Sequence, residues 1–287
     1  MPPRAAGSRG RDRDCILVVM PSIERVIAEL ESLAPLRLAA EWDTVGLLVG
    51  SRRPAIERLM TCLTLTPTVA REAVREAADM VVSHHPLPFR PVGRITDATP
   101  TGSVLLELIG AGVAVWSSHT AWDSAAGGIN DQLASLIGLD HVAPLEPDAI
   151  HPLAGFGRAG SAPVGWTVAH LAGHLAESLA VGGVQLVGDR SRPAGRVGIV
   201  CGSGGDSLDA ILRAGCETLV TGELKLHAAL DADSRGLAVV AVGHHASERF
   251  AMERMAARLA ESLPGLHTWA SRDETDPVAS LPNPSPR

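Results

Sequence analysis

The sequence of 287 residues contains no tyrosine and only three phenylalanines, beside five tryptophans. Aromatic side chains therefore cannot supply most of a hydrophobic core. Apolar residues nevertheless make up 46% of the chain, an ordinary fraction for a globular protein. We expect a core built mainly from Ala, Val, Leu and Ile, in a chain long enough for one large domain or two smaller lobes.

The sequence also lacks closely spaced cysteine pairs, long apolar runs and basic clusters, and each absence excludes a class of protein. The four cysteines form no Cys-x-x-Cys pair, which argues against a disulfide framework and favours a reducing cytoplasm. No apolar run reaches the roughly 18 residues that a membrane helix needs. The net charge is −7, and the basic residues form no extended cluster that could neutralise a phosphate backbone. We expect a cytoplasmic protein that binds neither a membrane nor a nucleic acid.

Composition divides the chain into two lobes with flanking segments. Residues 1–19 are rich in Arg, Gly and Asp and predict a disordered extension, although the run CILVVM could form an additional strand. A first lobe is expected over residues 20–140 and a second over residues 166–272. The intervening residues 141–165 are rich in Gly and Pro, which indicates a junction. Residues 273–287 predict a flexible tail.

Both lobes alternate short apolar runs with amphipathic, helix-type runs. This alternation is typical of α/β folds in which mostly parallel central strands are flanked by helices. The segments ADMVVSHHP and LAVVAVGHHAS each carry an apolar strand into a His-His pair, which indicates two pseudo-related lobes. Ligands bind at the carboxyl ends of strands in open α/β sheets, so these histidine pairs are candidate site residues.

The pair His84 and His85 ends an apolar run of the first lobe and is followed by Pro86. Adjacent side chains at a strand end point in different directions, so the two histidines could serve two different ions. The same residues also fit a polar strand end that has no ligand, and the sequence leaves both interpretations open.

The second candidate segment is GHHASERF, in which His244 and Glu248 lie four residues apart at the start of a predicted helix. Side chains at this spacing project from one helix face, and imidazole with carboxylate suits a divalent metal ion. The alternative is an ordinary helix start, in which Ser247 caps the helix and Glu248 favours its positive end.

The third candidate segment is SSHTAWD, in which His119 follows an apolar strand and Asp123 lies four residues later. Asp123 could ligate a metal ion or could simply close the loop. His119 could be a general acid or base, or a spare ligand.

The three segments together make a stronger case than any one of them. The candidate ligands at the three strand ends are His84, His85, Asp123, His244 and Glu248. Five ligands exceed the three plus water of a usual catalytic zinc site, whereas they suit two neighbouring ions with a bridging carboxylate. We predict two divalent cations per chain, of the kind of Zn, Fe or Mn.

The order of these segments resembles that of the NIF-three-like family of dinuclear-metal proteins, also labelled GTP cyclohydrolase I type 2 homologues. The matching segments are LAAEWDTVGLLVG, SHHPLPF, SHTAWDSAAGGINDQLA, GSGG, VTGELKLH and GHHASE. The resemblance implies two α/β lobes, a pair of divalent ions between them, the same five ligands and a ring-shaped homohexamer. Thr44 departs from the family, which usually has Asn after Trp-Asp.

A glycine-rich turn is a weaker candidate for substrate binding. Gly202, Ser203 and Gly204 follow a predicted strand and open a helix, so their backbone amides could hold a phosphate. A turn without any ligand is the alternative. Glu223 and His227 could orient the ligand histidines, although Glu223 could equally be a first-turn helix acid.

The segment around Trp42 and Asp43 also has two interpretations. In the first interpretation, which we favour, Trp42 packs against a lobe and Asp43 turns the chain. In the second, both residues form a rim over the ions. His170 and His174 lie in helical patterns without partner motifs and are expected outside the site.

Pattern and resemblance together predict a metal-dependent hydrolase that acts through metal-bound hydroxide on a nucleotide-like or phosphorylated small molecule. The family label points to opening of the purine ring of GTP. His119 is the candidate catalytic residue. The alternative is a non-enzymatic hexameric metal-binding scaffold or a regulatory partner protein.

Overall fold

The computed structural model of the protein describes residues 20–278. The expected extension at residues 1–19 and the last part of the expected tail, residues 279–287, lie outside the described residues. The described chain forms two large β-sheets and one two-stranded sheet, with helices packed against the large sheets. Within residues 20–278, no helix is both long and apolar enough to cross a membrane.

Ten α-helices and thirteen strands make up the described residues. The helices are α1 Ile23–Leu33, α2 Pro67–Arg75, α3 Pro100–Ala111, α4 His119–Ser124, α5 Ile129–Ile137, α6 Val168–Ser178, α7 Leu208–Arg213, α8 Leu226–Ser234, α9 His244–Arg249 and α10 Ala251–Ser262. The strands are β1 Gly46–Val49, β2 Arg58–Cys62, β3 Met80–Ser83, β4 Ala114–Ser117, β5 Asp140–Ala143, β6 Glu146–Pro147, β7 Gly155–Phe156, β8 Arg158–Ser161, β9 Gln185–Val187, β10 Arg196–Ser203, β11 Thr218–Glu223, β12 Ala238–Ala241 and β13 His267–Ala270.

Both large sheets have a parallel centre. The first sheet has the strand order β1-β4-β3-β2-β13, in which the last four strands run parallel and β1 pairs antiparallel with β4. The second has the order β5-β8-β10-β11-β12-β9, in which β10, β11 and β12 run parallel and the outer strands antiparallel. The predicted α/β class with mostly parallel central strands is thereby confirmed.

Three strands lie in a different part of the fold from the part that their position in the chain predicts. The strand β13 falls in the range expected for the second lobe, residues 166–272, yet it pairs with β2 of the first sheet. The strands β5 and β8 belong to the second sheet, although β8 lies within the expected junction, residues 141–165, and β5 begins beside it. Both are only four residues long and every residue of β5 is exposed, so neither shows a clear apolar run.

The hydrophobic core has three parts, and the largest is shared by the two lobes. It joins residues of the first sheet, such as Leu59 and Val82, to residues of the second, such as Val197 and Val240. The outer face of the first sheet packs on α2 and α3, and the outer face of the second on α7 and α8. As the composition predicts, aliphatic side chains dominate all three parts.

Local sequence signals set the helices that cover the first sheet. The helix α2 begins at Pro67, and the Thr66 side chain accepts a hydrogen bond from the Val69 amide. The helix α3 begins at Pro100 and ends at Gly112, whose φ of 68° suits glycine better than any other residue. The strands between these helices are therefore short, and each leads directly into a loop.

The predicted site residues follow the carboxyl ends of the parallel strands. The strand β3 ends immediately before His84, β4 ends two residues before His119, and β12 ends three residues before His244. Because β3 and β4 are parallel neighbours, their carboxyl ends lie at one edge of the first sheet. The carboxyl ends of β10, β11 and β12 form the corresponding edge of the second sheet.

Candidate metal centre

His84 is the most buried histidine of the centre. Its side chain is 0% exposed, and its backbone is held by the Ser117 hydroxyl, which donates to the His84 carbonyl over 2.6 Å. Neither ring nitrogen has a hydrogen-bond partner. A buried polar group without a partner costs about 1–3 kcal/mol, so His84 is placed for a ligand that the protein itself does not supply.

Glu248 lies between two groups of histidines. Its Oε1 is 3.8 Å from His84 Nε2, whereas its Oε2 is 3.2 Å from His85 Nε2 and 3.3 Å from His244 Nε2. Burial raises the pKa of Glu248, but the neighbouring histidines outweigh burial and hold that pKa well below its usual value. The carboxylate is therefore charged and can bridge two cations.

Asp123 is the second carboxylate of the centre and comes from helix α4. Its Oδ1 lies 3.7 Å from His84 Nε2 and accepts a hydrogen bond from the Cys201 thiol over 3.3 Å. Asn130 holds this part of the structure together, because it donates to the Asp123 carbonyl and accepts from the Cys201 amide. The negative charges of Asp123 and Glu248 outweigh burial and raise the pKa of His84.

The Nδ1 atoms of His85 and His244 each contact a polar group outside the centre. The Nδ1 of His85 lies 2.7 Å from the Thr64 hydroxyl, and the Nδ1 of His244 lies 3.2 Å from Glu223 Oε1. Burial lowers the pKa of His85. Hydrogen bonds that His244 donates to Glu248 and Glu223 raise the pKa of His244 to about 9. Both rings present Nε2 to the centre, as ligand histidines do when an outer group fixes Nδ1.

His119 is held in the same way by a residue from a distant part of the chain. Its Nδ1 lies 2.8 Å from Asp43 Oδ1, and Thr120 donates to Asp43 Oδ2 through both its amide and its hydroxyl. Burial opposes ionisation of Asp43, but the hydrogen bonds from His119 and Thr120 outweigh it and lower the pKa of Asp43. Asp43 therefore supports the centre as well as turning the chain.

The donor atoms converge into two groups that can hold a metal ion. Ligand atoms of His84, His85 and His119 all lie within 4.8 Å of one another, and so do those of His85, His244 and Glu248. Imidazole and carboxylate donors of this kind suit borderline divalent ions such as zinc or iron. The unpartnered nitrogens of His84 and the buried, charged Glu248 fit such an ion.

The residues that the sequence indicated less strongly differ in whether they contact the centre. Glu223 contacts His244, as expected for an orienting residue, whereas His227 is exposed on helix α8 and contacts no ligand. His174 lies away from the centre, with its Nε2 2.9 Å from the Leu136 carbonyl. Sequence reasoning missed Thr64, Cys201 and Asn130, because neither their types nor their positions mark them before the fold brings them together.

The glycine turn has a steric role in this structure. A Cβ on Gly202 would lie 2.4 Å from Glu248 Oε1, so only glycine lets the backbone pass the carboxylate. The amides of Gly202 and Gly204 already donate to the hydroxyls of Ser247 and Thr221. Of the three residues predicted to bind phosphate, Ser203 is the one whose amide is not taken by these side chains.

Two cavities flank the centre on different sides. A cavity of about 1040 Å³ is lined by His85 and His244 and by the segment 179–183. A smaller cavity of about 460 Å³ is lined by Asp123, Cys201 and Trp42, among others. The larger cavity thus borders His85 and His244, and the smaller one borders Asp123.

Exposed aromatic side chains stand beside His119. Trp42 is 66% exposed and Phe89 is 53% exposed, and their ring centroids lie 6.0 Å and 6.2 Å from that of His119. Trp42 thus forms part of a rim next to the centre, contrary to the packing role favoured from the sequence.

The chain matches the family model of Duf34/NIF3 (NGG1p interacting factor 3) over residues 21–277. A Streptomyces coelicolor relative named GTP cyclohydrolase 1 type 2 homolog is 33% identical over 280 residues, which cover 93% of this chain and 98% of the relative. NIF3-like protein 1 of Drosophila melanogaster is 32% identical over 265 residues, covering 89% and 88% of the two chains. The resemblance drawn from the motifs is thereby confirmed.

Solved structures show the same fold. A Bacillus cereus protein related to NIF3 superposes with a TM-score of 0.84 at 21% identity, covering 92% of this chain and all of the other. Reduced HcgD from Methanocaldococcus jannaschii superposes with a TM-score of 0.77 at 24% identity, covering 88% and 98%. At these identities the likeness concerns the fold alone.

Proposed function

This chain belongs to the Duf34/NIF3 family, and on that premise we propose that it is a metal-dependent hydrolase with a dinuclear centre. The proposed substrate is a nucleotide-like or phosphorylated small molecule, in line with the relatives named GTP cyclohydrolase 1 type 2 homolog. The observation that carries the proposal is the position of Glu248, whose Oε1 faces His84 and whose Oε2 faces His85 and His244.

The five ligands divide between two ions in this proposal. His84 and Asp123 hold the first ion, because His84 Nε2 and Asp123 Oδ1 lie 3.7 Å apart. His85 and His244 hold the second, since both approach Glu248 Oε2. Glu248 would be the ligand shared by both ions.

The centre supplies two kinds of chemistry for hydrolysis. Two divalent cations held by these residues would lower the pKa of a water molecule and would stabilise negative charge on the group under attack. His119 stands beside the donor atoms with Nδ1 bound to Asp43, and we propose that it takes up and returns the proton of the reaction. The exposed rings of Trp42 and Phe89 form a wall against which a planar base can pack.

Metal content and hydrolysis measured on the same samples test this function. We expect close to two divalent ions per chain by elemental analysis, and turnover of at least one member of a panel of nucleotides and phosphoesters. His84→Ala should lower both the metal content and the turnover, because it removes a donor that has no other partner.

His174→Ala is the matched control, since His174 contacts a backbone carbonyl and no ligand of the centre. It should keep the metal content and the turnover of the wild type. Equal loss of metal in His84→Ala and His174→Ala would refute the ligand assignment. A fully loaded protein that turns over no member of the panel would instead favour the scaffold role.

We further propose a homohexamer as the assembled form. Large apolar side chains are exposed on the described surface, among them Ile150 at 76%, Leu153 at 69% and Leu226 at 71%. Burial of such side chains between copies is a favourable source of association. Native mass spectrometry should give six times the mass of the chain, and a monomer at micromolar concentration would contradict the hexamer.

A further inference from the structure

Asp43 lies 76 residues from His119 in the sequence, yet the two side chains form one hydrogen-bonded unit. The Asp43 side chain is only 1% exposed, and both of its oxygens are fully used. Oδ1 accepts from His119 Nδ1 and from the Thr44 amide, while Oδ2 accepts from the amide and the hydroxyl of Thr120. The carboxylate is thus held rigidly against the start of helix α4.

This set of hydrogen bonds decides which nitrogen of His119 carries the hydrogen. An ionised carboxylate can only accept hydrogen bonds, so Nδ1 of His119 must be the donor. In the neutral ring, Nε2 then has no hydrogen and presents a lone pair. His85 and His244 also have Nδ1 held by an outer group and Nε2 directed to Glu248.

The backbone of His119 is held in an uncommon conformation. Its φ is +32°, a region that residues other than glycine rarely adopt. Helix α4 has no side-chain cap from Ser118, and Asp43 instead accepts the Thr120 amide in its first turn. The same carboxylate therefore fixes the helix start and the direction of the His119 ring, and such strain is concentrated at functional sites.

We propose that Asp43 is the positioning residue of His119, which it fixes with the hydrogen on Nδ1 and the lone pair of Nε2 toward the metal centre. A ring nitrogen of His119 lies within 4.8 Å of donor atoms of His84 and His85, so that lone pair is available where the reaction is proposed to occur. The use of this lone pair as a proton acceptor rests on the proposed function. The position of the hydrogen does not.

Asp43→Asn is the sharpest test because it keeps the shape of the side chain and inverts the hydrogen bonding. Thr120 supplies two donors at Oδ2, whereas the backbone amide of Thr44 supplies one at Oδ1, so we expect the amide oxygen of Asn to face Thr120. The amide nitrogen then faces His119 Nδ1, which accepts, so the ring hydrogen moves to Nε2, while the Thr44 amide loses its acceptor. The lone pair that faced the centre is lost.

Nitrogen NMR on the full-length protein loaded with zinc and labelled with nitrogen-15 histidine measures this directly. The His119 signals are assigned by their absence from His119→Gln. We expect the hydrogen on Nδ1 in the wild type and in Asp189→Asn, an exposed control of the same chemistry, and on Nε2 in Asp43→Asn. A wild-type His119 with its hydrogen on Nε2, or unchanged signals in Asp43→Asn, would overturn the proposal.

A second measurement separates positioning from simple structural support. If Asp43 only stabilises the fold, Asp43→Ala should be the more damaging variant in both stability and turnover, because Asn keeps most contacts. If it positions His119, Asp43→Asn should lose about 100-fold or more in turnover, at least as much as Asp43→Ala, while melting at the higher temperature. Should the wild type turn over no substrate, the proposed function fails, and the nitrogen signals still decide the role of Asp43.

Discussion

At the scale of single residues, Glu248 decides whether the centre can hold two ions. Glu248→Gln keeps the shape of the side chain but removes one negative charge, and a neutral amide is a much poorer ligand for divalent ions. We expect most of the bound metal to be lost without unfolding, since the substitution leaves the aliphatic core shared by the two sheets unchanged. Elemental analysis and the melting temperature of the same sample measure both effects.

Glu253→Gln provides the control for this substitution. Glu253 is an exposed residue of helix α10 that pairs with Arg249, and its substitution should leave the metal content unchanged. If Glu248 were only a helix-start acid, its substitution would cost about 0.3–1 kcal/mol of stability with the metal retained. Full occupancy in Glu248→Gln would therefore remove this residue from the centre.

The candidate ligand residues could be predicted from the sequence more completely than the residues that support them through hydrogen bonds. His84, His119 and His244 follow apolar strands, and that pattern is visible in the chain. Asp43 and Asn130 contact residues that lie 76 and 71 positions away in sequence, respectively. Packing within the first lobe brings Asp43 to His119, and packing of the two lobes brings Asn130 to Cys201, so no local pattern shows these contacts.

At the scale of elements, the end of strand β10 is shaped around the centre. Gly202 has a φ of +63°, and an added Cβ would lie 2.4 Å from Glu248 Oε1. We expect Gly202→Ala to displace the Glu248 carboxylate, to lower the metal content and to destabilise the protein by about 1–3 kcal/mol. Elemental analysis and denaturant unfolding measure the two effects.

Gly183→Ala is the matched substitution at a glycine with open space around it. No atom lies within 4 Å of its added Cβ, and its φ is not in the left-handed region. It should keep the wild-type metal content and stability. A Gly202→Ala protein that also keeps its full metal content would show that the turn can move away from Glu248.

Elements with a strong hydrophobic pattern could be predicted from the sequence, and short edge elements could not. The parallel strands β3, β10, β11 and β12 are buried at almost every position, and each contains a short apolar run. The strand β13, with the sequence HTWA, has a single buried residue, so only its pairing with β2 reveals it. Partner strands, rather than local preference, determine such edges.

At the scale of the whole molecule, the two lobes are joined by a shared core and by the centre. His84 follows strand β3 of the first sheet, whereas His244 and Glu248 follow strand β12 of the second. Ions bound at this centre would therefore link the lobes at a point where buried carboxylates and imidazoles already converge. Because the largest core cluster also spans both sheets, we expect the lobes to unfold together.

Removal of the metal by a chelator tests this coupling. Ions that bind only the folded chain stabilise it by about 2.7 kcal/mol at a free concentration one hundred times the dissociation constant. Chelation should lower the melting temperature in calorimetry while the unfolding remains a single transition, and added zinc should restore it. Glu248→Gln should respond little to the chelator, because it holds little metal. Two separate transitions after chelation, of which only one returns with zinc, would show that the ions stabilise one lobe rather than the pair.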